Sequence, residues 1–267
     1  MKVIILAAGE GKRLRPYTND RPKCLVPLAG KPLLVRQVNV LRACGLNDIT
    51  VMTGYKADQI QRLGFNTIDN PAYASTNMVT SLMCGRELLN GLDDVLIAYG
   101  DICYEPRIIQ AICACPAGFC TTVDVNWLSL WQARNEDPLL DAETLRMDEQ
   151  GYIRELGKRP VNLSQIEAQY MGLIKVSASM ALRVAEAYQS LDPAGTYDGK
   201  DLANMYMTSF LQYLIDEGNS LKAVKVASGW LEIDTTEDLA HYERMLAAAE
   251  LGEFIDLQMT DTYDHSA

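Results

Sequence analysis

The stretch Lys2-Val3-Ile4-Ile5-Leu6-Ala7-Ala8-Gly9-Glu10-Gly11-Lys12-Arg13-Leu14 decides the fold class. Residues 2–7 are a short apolar run rich in β-branched side chains that stops at Gly9, the pattern of a strand buried on both faces. Two small residues and two glycines follow, which lets backbone N–H groups approach and wrap a phosphate chain, and Lys12 and Arg13 bring positive charge to the same turn. The loop lacks the Gly-Lys-Ser/Thr ending of a P-loop and the Gly-x-Gly-x-x-Gly spacing of the dinucleotide fingerprint. Glycine in a turn also has a purely steric explanation, so the meaning of this one depends on its surroundings.

Outward from the loop, residues 31–44 follow a helical period closed by Gly45, and residues 48–53 form a second strand closed by Gly54. Strand, loop, helix and strand in that order make a βαβ unit. Residues 80–90 read as a helix ending at Gly91, and residues 94–99 as a buried strand followed by Gly100-Asp101. That puts a carboxylate at the C-terminal end of a strand, where open parallel sheets bind their ligands. The second half is more mixed. Residues 121–125, 145–147, 152–155 and 171–176 are shorter strand candidates, 179–190 and 202–217 have helical spacing, and 221–226 is a late strand. Residues 235–250 read as a helix with Thr235 as N-cap. The expected fold is α/β and Rossmann-like, a mixed but mostly parallel central sheet flanked by helices. With no repeat or linker in view, the expected organisation is one domain over residues 1–250 and a loose, acidic and polar tail over 251–267.

A chain of 267 residues with 48% apolar content can bury a full core. Its formal net charge of −11 opposes binding to a nucleic-acid backbone, which needs clustered cations. No apolar run reaches the roughly 18 residues of a membrane-spanning helix. Seven cysteines in no paired spacing, and no charged-then-apolar leader, place the expected compartment in the cytoplasm. Cys113, Cys115 and Cys120 read as buried thiols, because a zinc site wants four ligands and no histidine is near. His241 and His265 carry no expected role.

The loop Leu6-Ala7-Ala8-Gly9-Glu10-Gly11-Lys12-Arg13-Leu14, followed by Arg21-Pro22-Lys23, resembles the signature of the nucleotidyltransferase superfamily with the sugar-phosphate nucleotidylyltransferase fold. Further segments match in order: Gly30-Lys31-Pro32-Leu33, Gly54-Tyr55-Lys56-Ala57-Asp58, Gly100-Asp101, Glu155-Leu156-Gly157-Lys158-Arg159-Pro160, Tyr170-Met171-Gly172-Leu173 and Trp230-Leu231-Glu232-Ile233-Asp234-Thr235. The resemblance implies a nucleotide-diphospho-sugar transferase-like fold that binds NTP through Leu6, Ala7, Ala8, Gly9, Glu10, Gly11 and Lys12. It implies that Arg13 and Lys23 meet the NTP phosphates, that Lys158 holds the acceptor's phosphate, and that Mg2+ is held by Asp101 with Glu232 and Asp234. Such chemistry needs no general base, since a phosphate monoester is largely ionised at neutral pH with a second pKa of about 6. It then rests on in-line positioning and charge neutralisation at the α-phosphorus.

Asn70-Pro71-Ala72-Tyr73-Ala74-Ser75-Thr76-Asn77-Met78-Val79-Thr80-Ser81-Leu82 resembles the corresponding stretch of choline-phosphate and 2-aminoethylphosphonate cytidylyltransferases, which implies nucleotide contacts at Asn77 and Ser81. Asp124 through Arg134, with Asp137-Pro138-Leu139 and Asp141-Ala142-Glu143, looks like that subgroup's acceptor region. Trp131, Tyr170 and Trp230 are the candidates for an aromatic box around a cationic amine, and Asp124 is the alternative, as a salt-bridge partner for a primary amine. The expected partners are therefore CTP and a small phosphorylated or phosphonate acceptor, with a homodimer as an open assembly state. A sugar-1-phosphate nucleotidylyltransferase and an inactive nucleotide-binding subunit are the alternatives kept beside this reading.

Overall fold

A computed structural model of the protein describes residues 1–261. The strands in chain order are β1 (Lys2–Leu6), β2 (Pro27–Leu28), β3 (Lys31–Pro32), β4 (Ile49–Thr53), β5 (Asn66–Asp69), β6 (Val95–Tyr99), β7 (Ile102–Tyr104), β8 (Phe119–Asp124), β9 (Leu145–Met147), β10 (Ile153–Leu156), β11 (Gln169–Val176), β12 (Lys222–Val226) and β13 (Trp230–Glu232). The helices are α1 (Leu33–Ala43), α2 (Ala57–Gln61), α3 (Met78–Cys84), α4 (Pro106–Ala114), α5 (Trp127–Arg134), α6 (Ala178–Ser190), α7 (Met207–Asp216) and α8 (Thr236–Ala247).

Seven strands form the central sheet in the order β12-β8-β11-β6-β1-β4-β5. Every neighbouring pair is parallel except those of β11, which runs antiparallel to both β6 and β8. The mixed, mostly parallel sheet flanked by helices expected from the sequence is the sheet observed. β1 lies inside the sheet, between β6 and β4: all but its first residue are buried, as are all residues of those two neighbours. Burial on both faces is why these strands read as continuous apolar runs. The chain leaves β1 for β4 on one side and comes back to β6 on the other, so a crevice opens at the C-terminal ends of these strands.

Some boundaries differ from the sequence reading. α3 ends at Cys84 with Gly85 as its cap, and a single 3-10 turn then covers Arg86–Leu88, so the expected helix over 80–90 starts two residues early and breaks halfway. The period over 202–217 divides into a turn at Leu202–Asn204 and α7, separated by the extended backbone of Met205 and Tyr206. The tail expected to be loose is packed as far as Asp261. Leu251, Phe254, Ile255 and Leu257 are buried, and the buried guanidinium of Arg36 on α1 donates to Thr260 Oγ1 at 2.8 Å and Asp261 Oδ1 at 2.7 Å. Residues 262–267, with His265, lie outside the described residues. No helix of the described residues is long and apolar enough to cross a membrane.

Candidate active site

The turn after β1 is built into the sheet at both ends. Ala7 N–H donates to Met52 O at 3.0 Å, Gly100 N–H to Leu6 O at 2.9 Å, and Tyr55 N–H to Ala8 O at 3.0 Å. Between these anchors, the backbone N–H groups of Gly9, Glu10 and Gly11 donate to nothing among the described residues. Gly11 has φ +65° and lies so close to Lys23 that an added Cβ would stand 2.8 Å from the Lys23 Cβ. Glycine at this position fits both the left-handed backbone and the approach of the Pro-Lys segment. Gly100 is constrained by contact alone, since a Cβ there would meet Leu6 O at 2.7 Å.

Three acids from distant parts of the chain converge opposite the loop. Asp101 follows β6 after Gly100, and β7 then pairs antiparallel with β13 in a register that sets Ile102 opposite Glu232. Ile233 N–H donates to Asp101 O at 3.1 Å, which brings Asp234 onto the same side. A carboxylate oxygen from each of Asp101, Glu232 and Asp234 lies within 4.8 Å of the others. Beyond Asp234, Thr235 caps α8 and Asp238 completes the capping box. The Asp238 carboxylate accepts from the N–H groups of Asp234 and Thr235, each at 3.0 Å, and so fixes the backbone that carries the last acid.

Lys23 joins the loop to the acids, with Nζ donating to Asp101 Oδ2 at 2.6 Å and Asp234 Oδ1 at 2.5 Å. Burial alone would lower the pKa of this ammonium, but the charges of Asp101 and Asp234 outweigh it and hold it well above the usual lysine range. Burial likewise works against the Asp234 carboxylate, and Lys23 overrides it and keeps it ionised. Glu232 goes the other way, raised well above the carboxylate range by burial and by the charge of Asp234. Arg13 reaches Asp234 Oδ1 at 3.2 Å. Asp101 Oδ1 is buried and accepts no hydrogen bond among the described residues. The ionised Asp234, with Glu232 and the open Oδ1 of Asp101 beside it, makes a hard oxygen donor set of the kind magnesium takes together with phosphate oxygens and water. It is the only cluster of histidine, cysteine and acids with that potential among the described residues.

These groups line one cavity of about 460 Å3, a volume suited to a small-molecule ligand. Its walls hold Leu6 through Arg13, Lys23, Asn77, Ser81, Asp101, Glu232 and Asp234, all named from the sequence, together with Tyr73, Thr76, Met78 and Tyr99. Asn77 caps α3 and Ser81 stands one turn on, its hydroxyl accepting from Asn70 Nδ2 at 2.9 Å.

The candidates for acceptor binding are placed differently. Asp124 is fully buried, with Oδ2 accepting from Trp230 Nε1 at 2.9 Å and Oδ1 from the N–H groups of Asn126 and Ser228. Trp131 and Trp230 are buried against each other, ring centroids 6.1 Å apart, and the guanidinium carbon of Arg134 already stands 5.2 Å from the Trp131 ring centre. A closed core with its own cation, not an open box, occupies that place. Tyr170 stays half-buried beside Tyr99, and Lys158 is exposed and ion-paired with Asp198 outside the cavity wall.

Arg134 and Glu143 were quoted in the sequence without a role of their own. The Arg134 guanidinium, 2% exposed, holds Asp238 at 3.0 Å and reaches Glu232 at 3.5 Å and Asp234 at 3.9 Å. An arginine at the end of a short helix leaves no spacing signal that would have singled it out. All seven cysteines are free, Cys24, Cys103 and Cys120 being buried.

A glycine loop with free N–H groups at the end of a parallel strand, facing two cations and three acids, defines a nucleotidyltransferase. Residues 3–145 match the MobA-like NTP transferase domain, and the chain belongs to that family. Over 249 residues it is 40% identical to the CTP:phosphoglutamine cytidylyltransferase of Campylobacter jejuni, covering 90% of this chain and 98% of that one. Over 93 residues it is 42% identical to the choline-phosphate cytidylyltransferase of Streptococcus pneumoniae, covering 33% of this chain and 41% of the relative. Among solved structures, the CTP:phosphocholine cytidylyltransferase of Streptococcus pneumoniae superposes with a TM-score of 0.67 at 21% identity, over 92% of this chain and 98% of the other. The inositol-1-phosphate CTP transferase of T. maritima superposes with a TM-score of 0.69 at 20% identity, over 96% of this chain and 97% of that chain. The superfamily and the enzyme class read from the motifs are thus borne out, close to the cytidylyltransferases.

Proposed function

We propose that the protein transfers CMP from CTP to a phosphate or phosphonate oxygen of a small acceptor, releasing pyrophosphate. The observation that carries the reading is the meeting of the glycine loop, Arg13 and Lys23 with Asp101, Glu232 and Asp234 across one cavity. The free N–H groups of Gly9 to Gly11 and the Arg13 and Lys23 cations favour a polyphosphate bound along the loop, its leaving pyrophosphate facing positive charge. Asn77 and Ser81 form the wall beside it. The acceptor oxygen attacks the α-phosphorus while the bond to the β-phosphate oxygen breaks, and its ionisation near neutral pH makes a protein base unnecessary. Asp101, Glu232 and Asp234 fit magnesium, which would supply neutralisation of the charge spread over the reacting phosphates. Cytidine as the base and a small phosphorylated acceptor are supported by the 40% identical relative, whose name gives CTP and phosphoglutamine as its substrates.

Lys23→Ala and Asp101→Asn test the assignment. Each is expected to lower kcat at least 100-fold with the fold retained by circular dichroism, in the range that loss of one electrostatic contact to a transition state costs. Unchanged turnover in either variant contradicts it.

A further inference from the structure

Arg134 takes no part in the cavity wall, yet its guanidinium stands directly behind two of the acids that line it. Nη1 donates to Glu232 Oε2 at 3.5 Å, and Nη2 lies 3.9 Å from Asp234 Oδ2. The other oxygen of Asp234, Oδ1, is the one that Lys23 and Arg13 approach, at 2.5 Å and 3.2 Å. The two oxygens of this acid therefore face different cations, those of the loop side and the one behind. Asp238 is gripped more closely: Nε donates to Oδ1 at 3.0 Å and Nη2 to Oδ2 at 3.3 Å, a fork that sets the plane of the carboxylate as well as its place. Asp238 Oδ2 is also the oxygen that accepts from the N–H groups of Asp234 and Thr235, so the fork extends to the backbone from which the Asp234 side chain leaves. The guanidinium is held in turn by the Trp131 ring, 5.2 Å from the ring centre, and by Asp141 at 3.6 Å.

We infer that Arg134 is a positioning residue of the metal site, which holds Glu232, Asp234 and Asp238 from behind so that the acids present their remaining oxygens to a divalent cation in the cavity. The inference rests on the metal assignment made in the CMP-transfer reading and adds the residue that sets the strength of that site. Arg134 touches neither nucleotide nor metal; it acts through the carboxylates. Partners of this kind, which orient the ligands of a metal, are worth about 10- to 100-fold in metal affinity or activity. The role needs the shape of the side chain and not its charge alone, since one ammonium cannot grip both oxygens of Asp238 and reach Glu232 at the same time.

The test is calorimetric titration of CTP, with no acceptor, into wild type, Arg134→Lys and Asp238→Asn, once with magnesium and once with EDTA. Arg134→Lys keeps the charge and removes the fork; Asp238→Asn keeps Arg134 and removes the carboxylate it grips. Wild type is expected to bind CTP about 10-fold tighter, or more, with magnesium than with EDTA, and each variant to lose most of that gain, as expected for loss of a ligand-orienting partner. Affinity in EDTA should stay within about twofold of wild type, because Arg134 and Asp238 lie outside the cavity wall. A fold merely loosened would weaken CTP in both conditions alike. Circular dichroism at the titration temperature confirms that the folded protein is being measured, and if Arg134→Lys does not fold, Asp238→Asn decides. A full magnesium gain in a folded variant, an equal loss with magnesium and EDTA, or a gain that survives in Asp101→Asn overturns the assignment. A wild type that shows the magnesium gain and releases pyrophosphate with no acceptor tried contradicts CMP transfer and leaves Arg134 in its role.

Discussion

The guanidinium of Arg134 faces Asp141, Glu232, Asp234 and Asp238 at once while almost fully removed from water. Replacing it with alanine would leave buried acids without their counter-charge, a loss of about 3–5 kcal/mol for breaking such a network. Urea titration of Arg134→Ala is expected to show that loss, and Arg134→Lys should recover little, because a single ammonium cannot reproduce the fork to both oxygens of Asp238. A midpoint within experimental error of wild type would remove Arg134 from this role. Glu143 makes a prediction of opposite sign. Its carboxyl is raised by burial and by Asp141 to about 7, from an ordinary value of 4.5, so between those pH values the folded protein binds more protons than the unfolded chain. Stability from this group is therefore full at low pH and falls as pH rises through 7, by on the order of 1–3 kcal/mol. Glu143→Gln should melt above wild type at pH 8 and level with it at pH 5, as followed by calorimetry. A variant that melts lower at pH 8 would show that Glu143 is paired in the protein.

At the scale of elements, the chain announces some structures and hides others. β1, β4 and β6 were legible because a strand buried on both faces writes an unbroken apolar run that glycine ends sharply. β5 was not, since Asn66-Thr67-Ile68-Asp69 has one large apolar residue and lies at the sheet edge. β7 and β13, three residues each, were equally hidden, although their pairing is what sets Glu232 beside Asp101. The motif order thus named the acids without showing the local pairing that brings them together. Thr235 was legible as a cap. Thr235→Ala should cost about 1 kcal/mol of stability. The cap also shapes the backbone that carries Asp234, so the variant is expected to lower turnover several-fold, and an unaltered rate would show that the site tolerates a loosened α8 start.

For the molecule as a whole, the last described segment matters more than its composition suggests. Leu251, Phe254, Ile255 and Leu257 are buried, but the helical spacing of the first three lasts a single turn among acidic and polar neighbours, which is why the sequence there read as polar and loose. Four buried side chains of this size contribute roughly 6–10 kcal/mol, comparable to the net stability of an ordinary domain. Removing residues 251–267 is expected to leave the protein unfolded or aggregated at 25 °C, and a soluble truncated chain with native circular dichroism would contradict that. The large-scale claim, a nucleotidyl transfer from CTP at the crevice beside β1, is tested most directly by magnesium-dependent pyrophosphate release with each NTP in turn and a small phosphorylated acceptor. The account predicts release with CTP far above the other three nucleotides, lost when acceptor or magnesium is left out and lost in Lys23→Ala. Release that ignores the acceptor, or that persists undiminished in Lys23→Ala, would contradict it.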